Sequence, residues 1–273
     1  MKFLEKLQRV QRKHRSLLCV GLDTDPATLP RHLGTSKAAV LQFNRQIIEA
    51  TGDLVCAYKL NLAFYESLGE RGWRIVKETL SCIPQHVITI GDGKRGDIGN
   101  TAERYAHALY DDFGFDAVTV NPYLGYDSVE PFIRDEQHCA FVLALTSNEG
   151  SNDFQRLNIG GRPLYERIVQ ASVKWNTKKN IGLVVGATHP KELQPIRKLA
   201  PAMPILIPGI GKQGGDLESA VRFGADKGGK LAIINASRSI LYASRGKDFA
   251  TAARNEALQL RAQIQKYRDT FFS

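Results

Sequence analysis

Short apolar runs of strand length alternate along the chain with segments that have helical spacing. The runs that share this character lie at residues 17–23, 55–61, 87–94, 117–122, 139–147, 181–188, 204–211 and 231–239. Strands that alternate with helices predict a parallel sheet, because each parallel connection needs a crossover segment. Eight such units in 273 residues favour an α/β protein built as a closed (β/α)8 TIM barrel.

An open, doubly wound parallel sheet is the alternative to a barrel. Its glycine fingerprint, G-x-G-x-x-G directly after the first strand, is absent, since that strand ends in Gly-Leu-Asp-Thr at residues 21–24. Capping signals support the intervening helices, because Ser36, Asn100 and Asp216 each stand before a segment of helical spacing.

We expect one domain over residues 1–273, because no internal repeat, low-complexity tract or Pro/Ser linker divides the sequence. Residues 1–15 predict an amphipathic N-terminal helix that lacks the continuous apolar core of a signal peptide. The longest irregular stretch, at about residues 147–162, is rich in Asn, Gly, Ser and Asp. Such loops are usually lids or disordered inserts. We favour a lid, because this stretch follows a strand on the side where barrels build active sites.

The composition is that of an ordinary globular protein, with 43% hydrophobic and 24% charged residues. A formal net charge of +9 suits an anionic small molecule as well as nucleic acid. The four cysteines form no C-x-x-C pair and predict reduced, mostly buried thiols rather than disulfides or metal ligands. No apolar run reaches transmembrane length, so we expect a cytoplasmic protein without a membrane partner.

The loop after the third predicted strand concentrates charge. Successive side chains of a strand alternate between its two faces, so Asp92 and Lys94, two residues apart, point to the same side. Asp97 follows where glycines let the chain turn. Two carboxylates and an ammonium group in one place would keep the lysine protonated and present fixed charge to a ligand. Lys59, in the second predicted strand, would point into this cluster, because a lysine in an apolar strand needs a partner. The alternatives are a surface ion-pair network and a Lys59 that extends outward to solvent.

The loops after the seventh and eighth predicted strands stand where barrels commonly bind phosphate. The first of them contains Gly211 and Gln213, and the second contains Arg238. The Arg238 guanidinium offers paired donors to a phosphate, with Gln213 as a second contact. Alternatively, the glycines only serve tight turns and Arg238 pairs with a surface carboxylate. After the fifth strand, Ser147 and its neighbours offer polar groups to a ligand or simply cap the loop.

Three motifs together resemble the orotidine 5'-phosphate decarboxylase family, and most closely its longer bacterial subgroup. They are Asp-Gly-Lys-Arg-Gly-Asp-Ile-Gly-Asn-Thr at residues 92–101, Pro-Gly-Ile-Gly-Lys-Gln-Gly-Gly-Asp at 208–216 and Ala-Ser-Arg-Ser-Ile at 236–240. The likeness extends from Gly21 to the last strand, and motifs of this length in this order are specific. Leu60 departs from the family pattern, which has proline after the lysine, but the charged positions are intact.

The resemblance implies decarboxylation of orotidine 5'-monophosphate (OMP) to UMP and CO₂, the last step of de novo UMP synthesis, without metal or organic cofactor. It implies a charged catalytic array, in which Lys94 protonates a C6 carbanion that is stabilised electrostatically. The array would consist of Lys59, Asp92, Lys94 and Asp97. The substrate-binding positions would be Asp23, Thr101, Ser147, Gly211, Gln213 and Arg238. Asp23 would hold the ribose hydroxyl groups together with Lys59 of the array. Ser147 would contact the edge of the pyrimidine, and Gln213 and Arg238 would contact the phosphate. The resemblance also implies a homodimer in which Asp97 and Thr101 reach the neighbouring site.

The nearest alternative function is that of a Mg²⁺-dependent sugar-phosphate decarboxylase or aldolase of the same barrel group, which shares Asp-x-Lys-x-x-Asp. In those relatives a carboxylate takes the place of Lys59, and a cation there would repel the metal. A remote alternative is a non-catalytic module that binds phosphate or nucleic acid, which the net positive charge permits. We expect a small-molecule substrate and neither a metal nor nucleic acid as a partner.

Overall fold

The computed structural model describes residues 1–210 and 216–272, and its eight parallel strands form a closed barrel. The strands are β1 (Leu18–Gly21), β2 (Ala57–Asn61), β3 (Ile88–Arg95), β4 (Ala117–Val120), β5 (Cys139–Leu145), β6 (Ile181–Val185), β7 (Ile205–Pro208) and β8 (Ala232–Ala236). Each strand pairs with its neighbours in sequence, and β1 also pairs with β8, which closes the barrel. The predicted (β/α)8 TIM barrel is confirmed, and the doubly wound alternative is wrong.

Helices lie before the first strand, between successive strands and after the last one. Those described are α1 (Phe3–His14), α2 (Lys37–Thr51), α3 (Leu62–Glu66), α4 (Glu70–Cys82), α5 (Gly99–His107), α6 (Tyr126–Val129), α7 (Ser151–Phe154), α8 (Leu164–Trp175), α9 (Pro190–Leu199), α10 (Leu217–Gly224), α11 (Arg238–Leu241) and α12 (Phe249–Phe272). The side chains of Ser36 and Asp216 cap α2 and α10, as predicted. The predicted cap at Asn100 is wrong, because α5 begins at Gly99 and Ile98 holds the N-cap position.

Several strands are shorter than the apolar runs that predict them. β1 ends at Gly21 and β5 at Leu145, so Asp23 and Ser147 lie in the loops beyond the hydrogen-bonded ladder. Apolar residues continue past the ladder because the loops are themselves partly buried, and Leu22 has no exposed surface. The strand ends therefore deliver these side chains to the open end of the barrel.

Helix α1 lies across the amino-terminal ends of the strands. Its Gln11 side chain donates to the carbonyl of Ala232, the first residue of β8. Its Lys6 forms an ion pair with Asp116, which stands just before β4. Because α1 covers this end, the carboxyl ends of the strands are the ones left for a ligand.

The stretch at residues 147–162, predicted to be irregular, contains regular elements. Besides α7, Asn158–Ile159 pairs antiparallel with Arg162–Pro163. Gly160 and Gly161 join the two segments with φ values of +59° and +81°, which a two-residue reversal requires and glycine adopts readily. The expectation of a wholly irregular stretch is therefore wrong.

Two further expectations concern the state of the cysteines and the presence of membrane-spanning helices. The four cysteines are free thiols, three of them buried and Cys82 partly exposed, as predicted. In the described part of the chain, no helix combines the length and the apolarity needed to cross a membrane.

Candidate active site

A cavity of about 400 Å³ opens at the carboxyl ends of the strands. The predicted site residues that it brings together are Asp23, Lys59, Asp92, Lys94, Ser147 and Arg238. The other polar residues on its wall are Asn61, Thr119, Thr146, Asn148, Asn235, Ser237 and Ser239. Residues from the first to the last strand thus contribute to one site.

Lys59 lies on β2 and is almost entirely buried, with 3% of its surface exposed. Its Nζ lies 2.9 Å from Asp92 Oδ2 and 3.4 Å from Asp23 Oδ1. Burial alone would lower the pKa of Lys59, but the charges of Asp23 and Asp92 outweigh it and hold that pKa above its ordinary value. Lys59 is therefore a fixed inward cation, and the alternative of a lysine extended to solvent is wrong.

Asp92 lies near the carboxyl end of β3 and accepts three hydrogen bonds. Its Oδ2 accepts from Lys59 Nζ, and its Oδ1 accepts from Lys94 Nζ at 2.6 Å and from Thr119 Oγ1 at 2.8 Å. Burial alone would raise the pKa of Asp92, but the two lysine ammonium groups hold it well below its usual range. An ionised carboxylate therefore stands between two cations in the cavity.

Lys94 belongs to a bulge in β3. The ladder with β4 pairs Gly91 with Val118, and the next pair is Arg95 with Val120. Three residues of β3 therefore span a single residue of β4. Lys94 has a φ of +47°, in the left-handed region that residues with a Cβ seldom adopt. The bulge is what turns the Lys94 side chain back toward the cavity.

Sequence reasoning misses Thr119, the β4 residue opposite this bulge. Its Oγ1 accepts from the backbone N–H of Lys94 at 2.9 Å and donates to Asp92 Oδ1. Only 2% of its surface is exposed. The available signal is a threonine within the apolar strand Ala-Val-Thr-Val, but β-branched residues favour strands whether or not they have a function.

Asp23 lies in the loop after β1 and has a second partner besides Lys59. Ser237 Oγ lies 2.8 Å from Asp23 Oδ2 and 2.8 Å from the carbonyl oxygen of Gly21. A Cβ at Gly21 would lie 3.0 Å from both Cβ and Oγ of Ser237, which is tighter than ordinary van der Waals contact, so glycine leaves room for this close approach. Sequence reasoning misses Ser237 as well, although it stands next to Arg238 in the same motif.

Arg238 begins α11 after β8 and lines the same cavity as Lys94. The backbone that follows β7 lines this part of the cavity as well, at Gly209. Within residues 1–210 and 216–272, no carboxylate pairs with the Arg238 guanidinium, so the alternative of a surface ion pair has no support there. Gly211 and Gln213 lie outside the described residues, and their contacts with phosphate stay predictions.

The segment predicted to be a lid is tied to the end of β5. The Gln155 side chain accepts from the Thr146 N–H and donates to Thr146 Oγ1, both at 2.8 Å. Arg156 forms an ion pair with Glu192 of α9 at 2.6 Å. Ser147 lines the cavity and follows Thr146, so hydrogen bonds to Gln155 hold the segment in place next to Ser147.

Asp97 and Thr101 lie outside the cavity, on the chain that follows β3. Asp97 Oδ1 accepts from the N–H of Ile98 at 2.8 Å, and Thr101 is exposed on α5. Among the described residues, Asp92 is the carboxylate that contacts the Lys94 amine, so the expected cluster of two carboxylates around Lys94 is not formed within this part of one chain. Asp97 lies in the turn between β3 and α5 and is not among the described residues that line the cavity.

The two sides of the cavity differ in character. The side from β2 to β4 carries the alternating charges, whereas Leu143, Val184 and Leu206 line the side from β5 to β7. Charges that hydrogen bonds already hold in place need little reorganisation when charge develops in a ligand. Lys94 is the accessible member of the array, with 48% of its side chain exposed. The arrangement can therefore stabilise a carbanion and deliver a proton to it.

Comparisons with known proteins agree on one family. The model of the orotidine 5'-phosphate decarboxylase / HUMPS family matches residues 16–254. The chain is 54% identical to an orotidine 5'-phosphate decarboxylase of Dehalococcoides mccartyi, over 99% of this chain and all of that protein. It is 47% identical to one of Cupriavidus metallidurans, over 98% of this chain and 99% of the relative. The structure of an OMP decarboxylase from Leishmania donovani superposes with a TM-score of 0.87 at 37% identity, over 98% of this chain and 99% of that one.

Proposed function

Because the chain belongs to the orotidine 5'-phosphate decarboxylase / HUMPS family, we propose that it converts OMP to UMP and CO₂, the last step of de novo UMP synthesis. The observation that carries this proposal is the Lys94 amine, 2.6 Å from a buried Asp92, in a cavity that Arg238 also lines. This arrangement combines a proton donor with a cation for the phosphate of one nucleotide.

The proposed chemistry relies on electrostatics. Loss of CO₂ from C6 of the pyrimidine leaves a carbanion that no neighbouring carbonyl delocalises, so fixed charge must stabilise it. Lys94, held by Asp92, faces this carbon and then protonates it to complete UMP. Side chains supply every charge in this scheme, and it uses neither a metal nor an organic cofactor.

The remaining site residues bind the substrate. Arg238 holds the phosphate, together with Gln213 and the backbone at Gly211. Asp23 and Lys59 contact the ribose hydroxyl groups, which is consistent with their position on the cavity wall beside Lys94. Ser147 contacts the edge of the pyrimidine, and the segment that follows it acts as a lid. Contacts with the phosphate, remote from C6, would supply the binding energy that closes this lid.

The complete site needs a homodimer in this proposal. Asp97 and Thr101 would reach into the neighbouring subunit's site, where Asp97 completes the array around Lys94. Exposed apolar side chains on the chain from Asp97 through α5 to α6, two helices that contact each other, support such an interface, because exposed apolar surface is typical of interaction sites. They are Ile98, Tyr105, Tyr123, Leu124 and Tyr126. We also propose a cytoplasmic location, since four free thiols suit a reducing compartment.

One assay tests the proposed reaction. OMP is added to the protein, and the ultraviolet absorbance change is followed as UMP appears, with and without EDTA. We expect turnover in both conditions. Activity that EDTA abolishes and Mg²⁺ restores would favour the sugar-phosphate alternative, which the ammonium of Lys59 beside Asp92 disfavours. Salt-dependent binding to duplex DNA without turnover would favour the nucleic-acid module.

A further inference from the structure

We propose that Thr119 is a positioning residue, whose hydroxyl holds the Lys94 backbone and the Asp92 carboxylate in the geometry that aims the Lys94 amine into the cavity. The inference rests on the proposed function, because it assigns Lys94 the proton transfer. Nothing in the family motifs of the sequence includes Thr119. It lies on a different strand from Lys94, 25 positions along the chain.

The β3 bulge creates the need for such a residue. Between two successive ladder pairs, β3 has three residues where β4 has one, so the extra backbone groups of β3 lose their ladder partners. The N–H of Lys94 is one of them. It donates to Thr119 Oγ1 at 2.9 Å, so the side chain opposite the bulge replaces the missing carbonyl.

The hydrogen-bond directions at Thr119 are determined by its partners. The Lys94 N–H can only donate, so Thr119 Oγ1 accepts there. Its single proton is then free to go to Asp92 Oδ1, 2.8 Å away, which as a carboxylate oxygen accepts. The hydroxyl therefore links the backbone of Lys94 to the partner of its own side chain. That closes a small ring of contacts, because Lys94 Nζ donates to the same oxygen.

The backbone of Lys94 requires this support. A lysine at φ +47° is in a conformation that costs free energy and persists only when the surroundings impose it. Since the side chain of Lys94 is 48% exposed, packing does not immobilise it. The hydrogen bond to the buried Thr119 fixes the position of the Lys94 backbone, and the hydrogen bond to Asp92 fixes the position of the Lys94 amine.

Two substitutions at Thr119 separate the hydroxyl from the shape of the side chain. Thr119→Val keeps the volume and removes the hydroxyl, whereas Thr119→Ser keeps the hydroxyl and removes the methyl group. The matched control is Thr89→Val. Thr89 Oγ1 also accepts from a backbone N–H, that of Asp116, and donates to the Asp116 carboxylate, but it lies at the start of β3, outside the cavity.

The kinetic readout is the split between kcat and KM for OMP. We expect Thr119→Val to lower kcat about tenfold, equivalent to about 1.4 kcal/mol of barrier, with KM changed by less than about twofold. Thr119→Ser should recover most of kcat, and Thr89→Val should keep wild-type kcat even where its melting temperature falls. A Thr119→Val variant with wild-type kcat, or a serine variant as slow as the valine variant, would overturn the inference.

A crystal structure of Thr119→Val provides a readout that does not depend on turnover. We expect Lys94 to leave the left-handed region or its Nζ to leave hydrogen-bond distance of Asp92. An unchanged Lys94 would overturn the inference even if kcat fell. Absence of OMP turnover in the wild type would instead overturn the proposed function, and the structure of the variant would still decide the positioning role.

Discussion

Lys59 Nζ and Asp92 Oδ2 lie 2.9 Å apart in a buried ion pair that joins β2 to β3. Removing both charges from water is costly, and a buried pair by itself is weak evidence of stability. Here the cost is offset because Asp92 also accepts from Lys94 and Thr119, and Lys59 has Asp23 as a second partner. Each charge is therefore fixed by more than one group, as electrostatic stabilisation of a transition state requires.

Removal of the proposed proton donor should affect turnover far more than binding. We expect Lys94→Ala to lower kcat by about 10³-fold, within the range for general acid catalysis, and to change the Kd of UMP by less than about threefold. Stopped assays with OMP give the first quantity, and titration calorimetry with UMP gives the second. Lys179→Ala is the matched control, because Lys179 is also a lysine with positive φ, +59°, and is exposed outside the cavity. Near-wild-type turnover in Lys94→Ala would remove Lys94 from the proposed role.

Removal of the proposed phosphate contact, Arg238, should raise KM for OMP more than it lowers kcat. We expect Arg238→Ala to raise KM for OMP about 10- to 100-fold, because hydrogen bonds to charged groups contribute about 1.5–3 kcal/mol. The affinity for UMP should fall in parallel, whereas the affinity for uridine, which has no phosphate, should not change. Arg245→Ala, at an exposed arginine shortly after α11, should behave as the wild type. Equal losses for UMP and uridine would show that Arg238 does not contact the phosphate.

The ion pair also predicts how stability depends on pH. Because the two lysines hold the pKa of Asp92 well below its ordinary value despite burial, its stabilising contribution is complete above the unfolded pKa of about 3.9. The contribution is lost as the pH falls from there toward the lower pKa of the folded state. We expect Asp92→Asn to reduce the free energy of unfolding by about 3 kcal/mol at pH 7, and the difference from the wild type to shrink below about pH 4. Urea unfolding at several pH values measures both, and a difference that is independent of pH would contradict the assignment.

Local pattern was sufficient to predict the barrel and much of its cavity. The cost of a lysine in an apolar strand predicts that Lys59 points inward beside Asp92. Strand alternation predicts that Lys94 lies on the same side as Asp92, but in the structure the β3 bulge, rather than regular alternation, produces that arrangement. Both arguments depend only on residues near in sequence and on the rule that parallel strands end at the same edge.

The contacts that escaped prediction depend on the pairing between strands. Thr119 contacts Lys94 only because β3 bulges opposite it, and a bulge is a property of the register between two strands rather than of either sequence. The separation of Asp97 from Asp92 has a similar origin. The turn after β3 decides where Asp97 points, and the glycines that flank Asp97, Gly96 and Gly99, leave its direction open to sequence reasoning.

The position of Asp97 outside its own chain's cavity leads to the sharpest test of the dimer. If Asp97 serves the neighbouring subunit's site, Lys94→Ala on one subunit and Asp97→Asn on the other both fall in the same site of a mixed dimer. One site then has neither group, and the other has both. We therefore expect each variant alone to be nearly inactive and the mixed dimer, purified through two different affinity tags, to regain about half of the wild-type activity, as two-fold symmetry requires.

The matched control combines substitutions of two residues, Asp92 and Lys94, that each subunit contributes to its own site. Asp92 and Lys94 contact each other within one chain, so a mixed dimer of Lys94→Ala with Asp92→Asn contains no intact site and should stay inactive. Recovery in this control would mean that the activity comes from contaminating wild type. A Lys94→Ala/Asp97→Asn dimer as inactive as its parents would instead mean that Asp97 acts within its own chain or not at all, since a shared site must be restored by complementation.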